Sequence, residues 1–349
     1  MKPLVSILIP AFNAEEWLGD TLRSALAQTW DPKEIIVVDD GSVDRTLTIA
    51  RQFESESVRV FTQKNQGAAA ARNKAFSESR GEYIQWLDAD DLLAPDKISN
   101  QLEALGNCSN RILLSSAWGY FMYRPRQARF VPTPLWRDLS PLEWLIRKMG
   151  QNLHMQTATW LVSRELTEAA GPWNTQMLGD DDGEYFCRVL LASEGVRFVP
   201  ESRVYYRQSG AGSLSYIGDS ARKKDAHWRS MELHISYLRL LEDSERVRRA
   251  CIQYLQNWLL VFYPGRPDIV QRARELAHSL GGDLSEPSLS WKYAWIKQLC
   301  GWNMAARARS FLPRLRWAML RSWDKALFAL ENRGTAPGGM IGPQIPVRF

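Results

Sequence analysis

The chain has 349 residues, 45% hydrophobic and 24% charged, which excludes a disordered chain and supplies a sizeable core. No run approaches ~18 consecutive apolar residues, so a membrane-spanning helix is not expected. The formal net charge is +5, yet residues 1–220 hold 23 Lys/Arg against 28 Asp/Glu and residues 221–349 hold 21 against 11, a division that predicts two functional units.

Leu4 to Ile9 reads as a strand that stops at Pro10, too short for a signal-peptide core. Glu15 to Gln28 follows as a helix with Trp17, Leu18, Leu22, Ala25 and Leu26 on one face. Ile35 to Val38 is a β-branched run without polar alternation, as a strand covered on both faces would be. It ends in the turn Asp39-Asp40-Gly41-Ser42. Next come a helix from Arg45 to Phe53, a strand Val58 to Phe61, a small-residue helix Gly67 to Ser79 and a strand Tyr83 to Leu87 ending at Asp88. This alternation means βαβ units, a mostly parallel sheet flanked by helices and right-handed crossovers, an α/β fold. Ligands of such sheets sit at the carboxyl ends of the strands, where Asp39 and Asp88 fall.

Beyond Ala94 the pattern loosens. Pro95 to Leu105 is helical, Ile112 to Ser116 a strand, Arg124 to Pro134 a loop and Ala158 to Val162 a strand. Tyr185 to Ala192 reads as a helix, and Val196 to Val199 and Val204 to Tyr206 as two strands. Gly210 to Gly218 is a glycine- and serine-rich boundary or lid. Residues 221 to about 280 are helical, and the Gly- and Pro-rich tail from Thr335 is expected to be disordered. The resulting division is a catalytic unit over 1–220, a basic helical extension over 221–334 and a tail over 335–349. Cys108, Cys187, Cys251 and Cys300 lie far apart without CxxC spacing, which predicts reduced thiols in a cytosolic protein rather than a disulfide scaffold or zinc site.

Asp88-Ala89-Asp90-Asp91 concentrates carboxylates at a strand exit, charge that a hard divalent cation such as Mn²⁺ or Mg²⁺ would offset with further ligands from phosphate and water. Such turns also cap helices routinely. Here Asp39-Asp40-Gly41-Ser42 and Pro10-Ala11-Phe12-Asn13 end neighbouring strands, so three strand ends surround one crevice. Neither G-x-G-x-x-G nor G-x-x-x-x-G-K-[ST] occurs, which excludes a dinucleotide fingerprint and a Walker loop.

Val5 to Asn13, Glu34 to Ser42, Asn65-Gln66-Gly67 with Ala71-Arg72-Asn73, and Gly81 to Asp91 together resemble the family 2 glycosyltransferases of GT-A fold in order and spacing. The resemblance implies that Pro10, Ala11, Phe12 and Asn13 lie against the nucleotide base. It implies that Asp39 accepts a hydrogen bond from a uracil ring nitrogen and that Arg72 lies near base and diphosphate. Asp88, Ala89 and Asp90 match the DxD motif, with Asp88 near the ribose and Asp90 the metal ligand. Ala75 stands where the family's ARNxG pattern has glycine, a change expected to matter for packing.

Gly179-Asp180-Asp181-Asp182-Gly183-Glu184 precedes a helix, where carboxylates suit the dipole. The segment also resembles the family's acidic ED motif, which implies Asp182 as catalytic base with Asp181 as the alternative register. An inverting transfer needs one base to take a proton from the acceptor hydroxyl. Val204 to Arg207 with Gly212-Ser213-Leu214-Ser215 resembles the family's YRxHxxSxS segment, with Ser209 in place of the histidine. Of the histidines, His154 is the one to test as an acceptor contact. The QxxRW signature of processive synthases does not occur, which favours single addition.

The resemblance thus implies an inverting, metal-dependent transfer from a nucleotide-diphosphate sugar, with UDP the expected nucleotide, to a glycan or lipid-linked acceptor. The alternative is a non-catalytic sugar-nucleotide-binding or scaffold protein. A nucleic-acid partner is not expected. Trp291 to Arg333 is rich in Arg, Lys and Trp, and a helix from Pro313 would place Leu315, Met319, Trp323, Ala326 and Leu330 on one face. Two readings stand: docking on an anionic membrane surface at the cytoplasmic face, or packing on the chain's own catalytic unit.

Overall fold

The computed structural model describes residues 2–209, 217, 220–287 and 291–331. The expected lid residues 210–216 with Gly212-Ser213-Leu214-Ser215, Arg333 and the tail from Thr335 lie outside the described residues. In chain order the first half comprises β1 (Val5–Ala11), α1 (Leu18–Leu26), β2 (Lys33–Asp39), α2 (Thr46–Arg51), β3 (Val58–Thr62), α3 (Ala68–Glu78), β4 (Tyr83–Trp86), β5 (Leu92–Leu93) and α4 (Lys97–Leu105). Then follow β6 (Ile112–Phe121), β7 (Arg129–Phe130), α5 (Pro141–Gln151), β8 (Val162–Ser163), α6 (Arg164–Ala170), α7 (Asp181–Ala192) and β9 (Gly195–Arg207).

Runs without polar alternation form the central strands because both of their faces are covered. Val5, Ile7, Leu8, Ile9 and Ile35 to Val38 are completely buried. They lie in a sheet of order β3-β2-β1-β4-β8, whose first four strands are parallel and whose last pairs antiparallel. The β1–β2 register sets Ala11 beside Asp39 at the carboxyl edge. A second sheet has the order β5-β9-β6-β7, with β6 bridged to the segment before β8 at Leu114↔Leu161.

Three elements differ from the sequence reading. The two expected strands at 196–199 and 204–206 are one strand, β9, whose register against β6 jumps from Ser116↔Val199 to Ala117↔Arg203. Pro200 sits in that bulge, where its missing N–H costs no ladder bond. The expected strand at 158–162 is largely a 3₁₀ turn, Thr157–Thr159. Its Gln156 side chain accepts from Ala158 N (2.6 Å), and Thr159 Oγ1 donates to Gln156 O (2.6 Å), bonds that compete with strand pairing. α7 begins four residues earlier than expected, so the acid motif is its first turn.

The C-terminal part forms α8 (Ala221–Leu241), α9 (Glu245–Phe262), α10 (Pro267–Ser279) and α11 (Trp291–Glu331). α8 packs on α7, α9 packs on α5, and one continuous core runs from Val5 to Leu284. α11 is broken at Gly301 (φ 77°), and Pro313 lies inside its helical backbone rather than starting it. It rests on the first part of the chain through Asp324, which accepts from Tyr123 N (2.9 Å) and Arg124 Nε (2.8 Å), and Glu331, which accepts from Arg124 (2.8 Å). No helix among the described residues is long and apolar enough to cross a membrane.

Candidate active site

The ends of β1 and β2 are laced together. Asn13, in a left-handed conformation (φ 47°), donates its N–H to Ser42 Oγ (2.9 Å) and accepts Val43 N on Oδ1 (3.0 Å). Pro10 and Ala11 are largely covered, whereas Phe12 is half exposed at the rim (49%). Gly41 is required here: at φ 75° an added Cβ would stand 2.9 Å from Asn65 N. Asp40 is buried and structural, accepting from Gln63 (2.8 Å), Gln66 N (3.0 Å) and Gly67 N (2.8 Å). Asp39 is equally buried, yet only its Oδ2 has a donor, Ser42 N (3.3 Å), and its Oδ1 has no partner. A buried carboxylate oxygen left without a donor is costly, and one aimed at a ligand N–H has a reason to persist.

Arg72 joins the two acidic motifs. Its guanidinium donates to Asp88 (2.8 Å) and Asp181 (2.7 Å), and its plane lies 4.4 Å over the Trp173 ring. Burial would pull the guanidinium down, but the Asp88 and Asp181 carboxylates outweigh it and raise it further. Asn73 fixes Trp173 by a reciprocal pair of bonds (2.8 and 2.9 Å), and Trp173 stacks on Tyr185 at 4.0 Å.

The Asp88–Asp91 turn is held from behind. Thr21 Oγ1 donates to Ala89 O (2.9 Å), and Arg207 donates to Asp90 O (2.7 Å) while its N–H reaches Asp91 (2.8 Å). Gln156 donates to the other Asp91 oxygen. Arg207 itself lies over Trp17 (4.3 Å) and Phe121 (4.5 Å). Burial, and then Asp88, push Asp90 up to about 6. Burial, Asp90 and Asp88 raise Asp91 well above the usual carboxylate range. Negative charge is therefore in surplus at this turn. No group of three or more His, Cys, Asp or Glu side chains among the described residues could hold a metal on its own. The donor set, Asp90 with Asp88 beside it, instead fits a hard cation that completes its shell with phosphate and water.

The three aspartates of the acid motif have three environments. Asp180 takes a left-handed backbone (φ 56°) and accepts from Ser230 Oγ on α8, beside buried His234, which bonds Tyr254 (3.0 Å). Burial, then Lys148, hold His234 down at about 3, so it is neutral. Gly183 is needed because a Cβ there would collide with the Asp180 carboxylate. Asp181 is locked to Arg72. Asp182 accepts only from Gly183 N (2.9 Å) and Thr157 Oγ1 (3.3 Å), and burial with Asp181 and Asp180 pushes it up to about 7. It lines a small cavity of about 40 Å³ together with Lys148, His154, Trp144 and Trp160. His154 thus shares a cavity with Asp182, its ring lies 5.0 Å from Trp118, and burial lowers its pKa. Ala75 is completely buried in the core.

The sequence-derived residues Asp39, Arg72, Asp88, Asp90, Asp181 and Asp182 all lie around the carboxyl edge of the first sheet or on the helix facing it. Sequence reasoning missed Trp173, Gln156, Ser230 and His234, whose contacts reach across 50–100 residues and carry no local signal. For α5 and α6 a signal was present: Ser140-Pro141-Leu142-Glu143 and Ser163 with Leu166 are caps in the structure.

Comparisons with known proteins bear on the fold and on the first half of the chain. Over 167 residues the chain is 43% identical to an uncharacterized glycosyltransferase of Haemophilus influenzae (47% of this chain, 63% of the relative). It is 44% identical over 105 residues (29% of this chain, 42% of the relative) to TuaG of Bacillus subtilis strain 168, provisionally named as a glycosyltransferase of teichuronic acid biosynthesis. These alignments cover less than two thirds of each relative's length. Among solved structures, S. aureus TarS 1-349 in complex with UDP-GlcNAc superimposes with a TM-score of 0.63 at 18% identity, over 80% of this chain and 81% of that one. The mannosyltransferase PcManGT of Pyrobaculum calidifontis, with GDP-Man and Mn²⁺, gives 0.53 at 17% identity over 97% and 89%. The likeness to these structures is one of fold, and the α/β architecture with C-terminal helices is that of GT-A glycosyltransferases. Residues 6–167, just under half of the chain, match the family described as Glycosyl transferase family 2, in keeping with the glycosyltransferase relatives above.

Proposed function

We propose that the chain transfers a sugar from a nucleotide-diphosphate sugar, most readily a UDP-sugar, to a hydroxyl of a glycan or lipid-linked acceptor, once per encounter and with inversion. The observation that carries this reading is Arg72, whose two ion pairs bring the Asp88–Asp90 turn and the Asp181–Asp182 turn to opposite sides of one buried cation. Donor-side and acceptor-side carboxylates would therefore meet at one crevice.

Asp39 would accept the base N–H on its unpartnered oxygen, with Pro10 to Asn13 forming the wall beside the base. Asp90, with Asp88, would hold Mn²⁺ or Mg²⁺, and such an ion when bound offsets charge on the departing diphosphate. Asp182 would take the proton of the attacking hydroxyl; held near 7 and weakly bonded, it is matched to that work at neutral pH. Asp181 is committed to Arg72 and so positions the site instead. Residues 1–220 would form the transferase unit and 221–334 the basic extension, the whole lying peripherally on the cytoplasmic membrane face.

A panel of nucleotide sugars scored for donor hydrolysis and transfer, with Mn²⁺ and with chelator, tests the reading. Release of nucleotide from one donor that depends on the cation and on Asp182 is the expected result. No binding or turnover of any donor would leave only the fold.

A further inference from the structure

In a helix that packs on its own protein, the apolar stripe faces inward and the charges face water. α11 is turned the other way. Its last turns meet the rest of the chain mainly through charge: Asp324 and Glu331 are both bonded to Arg124 or Tyr123 N, Lys325 lies 3.8 Å from Glu16, and Arg321 stacks 5.6 Å over the Tyr123 ring, with Phe328 adding a ring contact to Tyr123 at 6.1 Å. Leu315, Met319, Trp323, Ala326 and Leu330, at helical spacings of three and four, face away and are exposed, Met319 at 67% and Trp323 at 66%. A contiguous apolar stripe on the outside of a soluble helix marks a surface made for a partner.

Charge identifies the partner. Residues 291–331 hold eight Lys/Arg and only two Asp/Glu, and both acids are consumed in the seat on Arg124. Arg316 on α11, Arg126 in the turn after the seat and Arg129 on β7 are exposed without an ion pair among the described residues. A second copy of the chain would bring an equally cationic segment against the stripe, so self-association is disfavoured electrostatically. An anionic lipid surface satisfies both properties: acyl chains take Leu, Met and Trp, and headgroups take the flanking cations.

We infer that the outer face of α11 over residues 315–331 is a lipid-contacting surface, lying in the plane of an anionic leaflet and holding the transferase unit against it. The inference deepens the membrane placement proposed above and rests on that reading of location. The seat also bears on the site. Tyr123 stacks on Trp17 (5.2 Å), and Trp17 lies under Arg207, which fixes the Asp90–Asp91 turn. Two rings, Tyr123 and Trp17, and the Arg207 side chain thus separate the α11 seat from the Asp90–Asp91 turn.

The test is co-sedimentation of the full chain with vesicles of phosphatidylcholine alone or with about 30 mol% phosphatidylglycerol. Binding is expected only with the anionic lipid. The double variant Met319→Glu/Trp323→Glu is expected to lower the bound fraction at least ~10-fold, and Arg316→Glu to lower it less, while donor hydrolysis in vesicle-free buffer stays unchanged because the stripe faces away from the site. Binding that ignores phosphatidylglycerol, or survives the double variant, overturns the inference. So does a dimer in sedimentation that the double variant dissolves while neither protein binds vesicles. A chain that binds anionic vesicles but hydrolyses no nucleotide sugar overturns the transferase reading and leaves this one standing.

Discussion

Asp182→Asn is expected to stabilise the protein while disabling it. The fold raises this carboxyl from 3.8 to about 7, chiefly by burial and then by Asp181 and Asp180. At pH 8 the charged form is therefore about 4 kcal/mol less favourable in the fold than in water. Asp182 keeps partial solvent access, which brings the figure to about 2 kcal/mol. Asparagine has the same shape, can still accept from Gly183 N and can donate to Thr157 Oγ1, so the relief is not lost to a broken bond. The sign follows from linkage. A carboxyl with a higher pKa folded than unfolded favours the fold below about pH 4 and gives up that stability as pH rises through about 7. The melting temperature of the variant should thus exceed the parent's by about 3 °C at pH 8, and by less than half of that at pH 5. Donor affinity should hold, turnover should fall by ~10²-fold or more, and the parent's kcat/KM should rise with pH through about 7. Thermal melts at two pH values, beside nucleotide-release kinetics, measure all of this. A variant less stable than the parent at pH 8, or with turnover within a few-fold, refutes the reasoning. Loss of turnover in Asp181→Asn with Asp182→Asn active would move the base by one residue.

Asp90→Asn removes charge from the cation site, so Mn²⁺-dependent donor binding should weaken at least ~10-fold and turnover should vanish; a thermal-shift titration that looks the same with and without Mn²⁺ in both proteins would contradict it. Asp39→Ala deletes a buried charged acceptor, and nucleotide affinity should drop roughly tenfold or more even in chelator. Equal UDP affinity of variant and parent by calorimetry would remove Asp39 from the base site. Arg72→Lys replaces a fork that reaches Asp88 and Asp181 together by a single ammonium, leaving one carboxylate under-paired at a cost of about 2–4 kcal/mol. Denaturant unfolding checks this, and a loss below about 0.5 kcal/mol would show that the two pairs are dispensable.

The first sheet was legible because its strands carry the information locally. Val5 to Ile9 and Ile35 to Val38 lack alternation since both faces are covered, and each ends in a turn residue that the register brings to the same edge. The second sheet was legible only in part. β9 crosses a bulge at Pro200 that splits one strand into two apparent ones, and β5 and β7, like β8 at the edge of the first sheet, are two-residue strands that exist only because a neighbour pairs them. Gln156 is polar and unremarkable in sequence, yet it caps a 3₁₀ turn and binds buried Asp91 at once. Asp91 lies 65 residues away, so nothing near Gln156 in the sequence reports that contact.

The acid motif shows where the limit of the sequence lies. Asp180, Asp181 and Asp182 are chemically identical and adjacent, so the family resemblance points to Asp182 while leaving the register open to Asp181. Their partners divide the roles. Asp180 is taken by Ser230 of α8, fifty residues later, and sits against a His234 that burial keeps neutral. Asp181 is taken by Arg72, more than one hundred residues earlier. Asp182 alone is left with weak neighbours, a raised pKa and a face on the cavity that holds His154. The charge asymmetry of the chain suggested an acidic unit followed by a basic one, yet a residue of the basic part fixes the backbone turn from which the candidate base projects. An extension cut away at 220 would take Ser230 and His234 with it, release Asp180 from its left-handed turn, and let the first turn of α7 lose the arrangement that separates the three carboxylates.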